Sequence, residues 1–182
     1  MPPTARKLAS GPCTMALRRG RPADRVAVRQ VHRAAFGGDG DVVEARLVGE
    51  LRADVGFLPH LSIVAEDGGR VVGHVIATRA RLDPLGTPVL GLGPLGVMPD
   101  AQGHGVGTAL VHPLIAVAKA SDETLVALLG APAYYGRFGF VRSTELGIAP
   151  PDPAWAEHFQ ARQLSGPPLL GAFRYAEPFG RL

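Results

Sequence analysis

Residues 89–110 read VLGLGPLGVMPDAQGHGVGTAL. An apolar, glycine-interrupted run over 89–97 ends in a Pro99-Asp100 turn, and Gln102-Gly103-His104-Gly105-Val106-Gly107-Thr108 then lead into a helical apolar pattern. Glycines at alternate positions let a backbone curl with its N–H groups inward, because no Cβ blocks the turn or the approach of a ligand. A helix starting there carries unsatisfied N–H groups and roughly half a positive charge at its N-terminus. Strand, glycine loop and helix end together predict a seat for a phosphate or pyrophosphate.

Two nucleotide-site patterns fall short of this loop. A P-loop needs Lys then Ser or Thr after its last glycine, but Gly107 is followed by Thr108 and Ala109, and no lysine lies between Lys7 and Lys119. The dinucleotide fingerprint G-x-G-x-x-G fits Gly103 and Gly105 but meets Thr108 where its third glycine belongs, although Glu123 falls about 20 residues on. That fingerprint also follows a strand directly, whereas here a Pro-Asp-Ala-Gln turn intervenes.

Outward from the loop, hydrophobic periods predict the surrounding elements. A first strand is expected over residues 15–19, and Pro22-Ala23-Asp24 opens a helix with Val28, Val31 and Ala35 on one face, ended by Gly37-Gly38. Asp41 with Glu44 is a capping-box pattern before a second helix carrying Val43, Leu47 and Leu51. Alternation over 61–66, a turn at Asp67-Gly68-Gly69 and a β-rich run over 71–79 predict a hairpin. After the glycine loop, Leu110, Leu114 and Val117 share a helix face, with Pro113 expected to kink or shorten that helix. A buried strand at 124–129, a short helix at 131–138 and a strand beginning at 140–142 follow. Pro150, Pro151, Pro153, Pro167 and Pro168 predict a loop-rich end with a last strand at 171–175. The expected class is α+β around one mixed sheet.

Composition bounds the rest. At 182 residues, one domain over 15–182 is expected, preceded by a flexible extension over 1–14 rich in Pro, Ser, Gly and charge. Hydrophobic residues make up 46% but aromatics only 6%, so the interior is expected to be aliphatic. No apolar run approaches the roughly 20 residues of a membrane span, and no long apolar segment at the N-terminus reads as a secretory signal. Cys13 stands alone, which excludes an intrachain disulfide and a cysteine-based metal site and fits a reducing cytoplasm. Residues 1–33 carry a local charge of +7 and the remaining 149 about −4. Without interleaved aromatics or a reading helix, that basic arm reads as a solvated face, and no nucleic-acid partner is expected.

Residues 97–108 fit V-x-P-x-x-Q-G-x-G-x-G-[TS] and resemble the acetyl-CoA motif of the GNAT superfamily of N-acyltransferases. Tyr134-Tyr135-Gly136-Arg137-Phe138-Gly139-Phe140 resembles that family's downstream Y-x-x-x-G-F signature, about 30 residues later. The likeness covers roughly residues 15–140. It implies a three-layer α/β/α domain around one mixed, largely antiparallel sheet with a splayed central strand pair, the pantetheine arm lying between the strand ending at Val97 and that at 124–129. Main-chain groups of Leu95, Gly96 and Val97 would bond the pantetheine, Val97 N–H polarising the thioester carbonyl. Gln102, Gly103, His104, Gly105, Val106, Gly107 and Thr108 would hold the pyrophosphate, with the His104 side chain facing either ligand or solvent. Tyr135, four residues before Gly139, occupies the place of the family's tyrosine general acid, and Tyr134 is the alternative donor. A phenol with pKa near 10 is protonated at neutral pH and can donate to a thiolate.

The implied reaction transfers an acetyl group from acetyl-CoA to a primary amine, small or peptidic, by direct attack in a ternary complex without metal. A non-catalytic acyl-CoA-binding module is the competing reading, and a homodimer stays open. Residues 89–97 hold no carboxylate or histidine that could take the amine's proton. Glu66, His74 and Asp83 lie on or beside neighbouring strands, each read as a surface salt-bridge partner in preference to a base.

Overall fold

In the computed structural model, residues 15–37 and 42–181 are described; the expected extension over 1–14 and Asp41 of the capping-box pattern lie outside them. Period-two alternation sorts the central strands between two faces. On β2 (Phe57–Asp67) the side chains of Leu61, Ile63 and Ala65 turn to one face and Val64 to the other. On β3 (Arg70–Asp83), Val75 and Ala77 join the first face and Ile76 the second. Each face then needs a helical cover.

The second face is covered by α1 (Arg25–Phe36), which buries Val28, Val31 and His32, and α2 (Val43–Ala53), which buries Ala45, Leu47, Val48 and Leu51. The first is covered by α3 (Val106–Ala120), through Leu110, Val111, Leu114 and Ile115. Burying a leucine such as Leu110 or Leu114 stabilises by roughly 2 kcal/mol. Pro113 removes one bond to the preceding turn, yet α3 runs on to Ala120, so the expected shortening does not occur. Val117, expected on the buried face, is half-buried, and Ala118 takes the inner position.

Among the described residues nine strands form one sheet in the order β1 (Ala16–Arg19), β2, β3, β4 (Thr87–Val97), β5 (Leu125–Leu129), β8 (Phe159–Gln163) and β6 (Val141–Arg142). β9 (Gly171–Arg174) pairs with the far end of β3, and β7 (Ile148–Ala149) pairs with β9. Parallel pairing is confined to β4–β5 and β7–β9. The β4–α3–β5 crossover sets the glycine loop at the carboxyl end of β4, where a βαβ unit presents its ligand seat. The three-layer α+β expectation holds.

The C-terminal expectation was incomplete. β8 lies inside the stretch read as loop-rich and β7 just before it; β8 pairs with β5 along its length, from Leu125–Gln163 to Leu129–Phe159. Phe159 and Ala161 alternate as a strand requires, but Gln160 is buried too, its amide donating to the Gly130 carbonyl at 2.9 Å. A buried polar residue hid the pattern. The helix expected at 131–138 is one α-helical turn, α4 (Pro132–Tyr135), continued as a 3₁₀ turn over Gly136–Phe138.

Candidate active site

β4 leaves β5 early. The two pair in parallel only at Leu90–Val126 and Gly91–Ala127. Against β3, Leu92 faces Ala77 and Leu95 faces Val75, so Gly93 and Pro94 together oppose the single Ile76. Such a bulge bends its strand and interrupts pairing. Beyond it the two central strands diverge, and a cavity of about 750 Å³ opens beside Leu92, Pro94 and Leu95 of β4, Leu129 of β5 and Tyr135 of α4.

The main chain of β4 completes one wall. Met98 N–H donates to the Val72 carbonyl at 2.8 Å, which sets the phase of the β3–β4 ladder. Gly96 therefore spends its main-chain groups on His74, while those of Leu95 and Val97 turn away from β3 toward the gap. The side-chain amide of Gln102 donates to the Val97 carbonyl at 3.0 Å, tying the glycine loop to the strand end. Gly103 and Gly105 have φ of +76° and +80°, a conformation costly for other residues, with open space where a Cβ would point. Gly105 is the N-cap of α3, so the first N–H groups of the helix, through Thr108, face the loop. Val106 sends its side chain into the core and contributes only its main chain. His104 is exposed.

The two tyrosines part company. A Cβ built on Gly107 would lie 2.6 Å from the Tyr134 hydroxyl, so Tyr134 closes over the start of α3, with the Arg137 guanidinium 4.8 Å from its ring centre. Tyr135 packs against Gly130 and the ring of Phe140 and lines the cavity. Burial, with Tyr134 beside it, pushes the Tyr135 phenol up to about 12.

The residues considered as bases are otherwise engaged. Glu66 accepts from Arg18 at 2.7 and 2.9 Å, and Asp83 accepts from Arg174 at 3.0 Å and from Arg81 at 3.3 Å. His74 departs from expectation: no surface group, it is fully buried, with Nδ1 2.9 Å from His32 Nε2 and Nε2 3.0 Å from Ser62 Oγ, which also accepts from Arg52 at 3.2 Å. Burial, reinforced by Arg52, pushes His32 down to about 4; burial, His32 and Arg52 hold His74 well below the usual imidazole range. His32 Nδ1 sits 2.8 Å from where a Cβ on Gly96 would be, so a glycine is needed there for α1 to approach β4. Glu123 makes a two-pronged ion pair with Arg79 at 2.7 and 2.8 Å, so both of its carboxylate oxygens are engaged within the fold.

Sequence reasoning missed His32, Glu44, Trp155 and Tyr175. The last three line the cavity from elements far apart in the chain, and no local pattern marks them. Among the described residues no group of three or more His, Cys, Asp or Glu is placed to hold a metal ion, and no helix is long and apolar enough to cross a membrane.

Comparison with known proteins agrees with this geometry. Residues 26–140 match the model of the acetyltransferase (GNAT) family. The chain is 34% identical over 163 residues to an uncharacterized N-acetyltransferase, YjhQ, of Escherichia coli K12, the match covering 85% of this chain and 88% of that protein. It superposes on a GNAT family N-acetyltransferase (YhbS) from Escherichia coli in complex with CoA with a TM-score of 0.85, 27% identity and 96% of each chain covered. A GNAT family acetyltransferase from Brucella melitensis in complex with acetyl-CoA gives a TM-score of 0.75 and 31% identity over 91% of this chain and 97% of that one.

Proposed function

Because the chain belongs to the acetyltransferase (GNAT) family, we propose that it transfers an acetyl group from acetyl-CoA to a primary amine by direct attack in the cavity between β4 and β5. The observation that carries this reading is the bulge at Gly93-Pro94, beyond which the main-chain groups of Leu95 and Val97 turn away from β3 into a gap ending on the glycine loop, the Val97 carbonyl already accepting from Gln102.

The residues present fit coenzyme A. Leu95 and Val97 offer main-chain donors and acceptors for the pantetheine amides, with Gly96 between them leaving room for His32. Residues 102–108 offer N–H groups and the positive end of α3 to the pyrophosphate. When bound, acetyl-CoA supplies the acetyl group as a reactive thioester. Val97 N–H polarises the carbonyl oxygen; a donor already aimed where negative charge develops contributes about 3–4 kcal/mol to lowering a barrier.

Tyr135 is the proton donor in this reading. As the amine nitrogen bonds to the acetyl carbon and the carbon–sulfur bond breaks, the phenol gives its proton to sulfur. The nitrogen loses two protons between ammonium and amide; one restores the phenol and the other goes to solvent. Burial of Tyr135 supports the assignment, because it keeps the phenol protonated well above neutral pH. Thiol release from acetyl-CoA across a panel of amines tests the reaction. Turnover with any amine supports it, whereas tight coenzyme A binding without turnover across a broad panel would leave the chain a binding module.

A further inference from the structure

We propose that the acceptor is a primary amine carried on an aryl or other bulky apolar body, its ammonium received by Glu44; this rests on the reading of the cavity as an acetyl-transfer site. The cavity, about 750 Å³, is within the size of ordinary small-molecule pockets. Beyond β4 its walls are aromatic. Tyr175 stacks on Phe179 with ring centres 4.3 Å apart and sits edge-on to Phe173 at 4.8 Å, which makes a rigid shelf. Phe36 at the end of α1 and Trp155 face the same space and remain 44% and 36% exposed. Large apolar side chains gathered at one opening mark a surface that gains by being covered, and flat rings favour a flat apolar ligand.

Of the charged groups lining the cavity, all but one have a partner among the described residues. Arg81 and Arg174 both bond to Asp83, and Glu177 is held by Arg181, Oε1 accepting at 3.0 Å. Glu44, half-buried in the first turn of α2, has no hydrogen bond or ion pair among the described residues. A partly desolvated carboxylate beside apolar walls is costly until a cation or donor meets it. An ammonium group supplies that partner, and the aromatic walls accept the body it is attached to. A polyamine fits less well, because its additional ammonium groups would meet no second unpaired carboxylate among the described lining residues.

Trp155 is the one tryptophan of the chain and so reports on the site directly. Phenethylamine and spermidine would each be titrated into the full-length chain, following Trp155 emission and heat of binding, and each assayed for thiol release with acetyl-CoA. Phenethylamine is expected to change Trp155 emission and to bind at least tenfold more tightly than spermidine. Glu44→Gln is expected to weaken phenethylamine binding about tenfold, with far-UV circular dichroism unchanged. Spermidine binding as tightly as phenethylamine, or an unaltered phenethylamine affinity in folded Glu44→Gln, overturns the proposal. Phenethylamine binding through Glu44, with no turnover of it or of any other amine across a broad panel, supports the ligand class while overturning the acetyl-transfer reading. Turnover of spermidine alone does the reverse.

Discussion

The hydroxyl of Tyr134 rests against Gly107: a Cβ on that glycine would lie 2.6 Å from the oxygen. One side chain thus roofs the first turn of α3, where the pyrophosphate seat is proposed. Gly107→Val should push Tyr134 aside and fill the seat, and Gly105→Val should oppose a backbone held at φ +80°. The left-handed conformation costs a residue with a Cβ about 1–2 kcal/mol, which the domain should survive. We expect folded variants whose coenzyme A affinity falls at least tenfold by calorimetry. Unchanged affinity in either would remove the seat from this loop.

Tyr135→Phe should lower kcat by roughly 10²-fold, the scale of losing a general acid, while acetyl-CoA affinity barely changes because the ring still packs on Gly130 and Phe140. With the phenol pushed up to about 12, the wild-type rate should not lose its acid anywhere between about pH 8 and 10. A Phe variant with near-normal kcat would leave Tyr135 a packing residue and hand the proton to water.

The His32–His74 pair predicts an acid-sensitive fold. Imidazoles in the unfolded chain protonate near pH 6.5. In the folded chain burial holds His32 down to about 4 and His74 well below the usual range. The unfolded state therefore takes up protons first as pH falls, so stability is full above about pH 6.5 and declines from there toward 4. His32 alone should contribute a loss of order 3 kcal/mol across that window. Urea unfolding midpoints at pH 7 and pH 4.5 measure it, and equal midpoints would mean the rings are not held neutral inside.

Glu123→Gln should destabilise the fold by roughly 1–3 kcal/mol, since it strands a partly buried Arg79 guanidinium bonded at 2.7 and 2.8 Å. Coenzyme A affinity should not change. A selective loss of affinity at constant melting temperature would give Glu123 a ligand role that its ion pair argues against.

Local patterns determined much of this protein before any tertiary contact was known. The hairpin of β2 and β3, the two helices before it, and the strand, glycine loop and helix over 89–110 are set by neighbours within a few residues, where alternation, turn chemistry and helix period act. Tertiary structure decided what depends on contacts across the chain. β8 became a strand by pairing with β5, about 35 residues away, and with β6 on its other side, while its buried Gln160 finds an acceptor in Gly130. His74 was drawn inward by His32, 42 residues earlier, and Glu66 and Asp83 were claimed by arginines from other strands. The two adjacent tyrosines, alike in sequence, pack in different places because Gly107 and Gly130 leave room for one ring each. The cavity beside β4 joins Phe36, Glu44, Trp155 and Tyr175 from four separate parts of the chain. Their apposition comes from packing of the layers, a long-range free energy that no window of sequence contains.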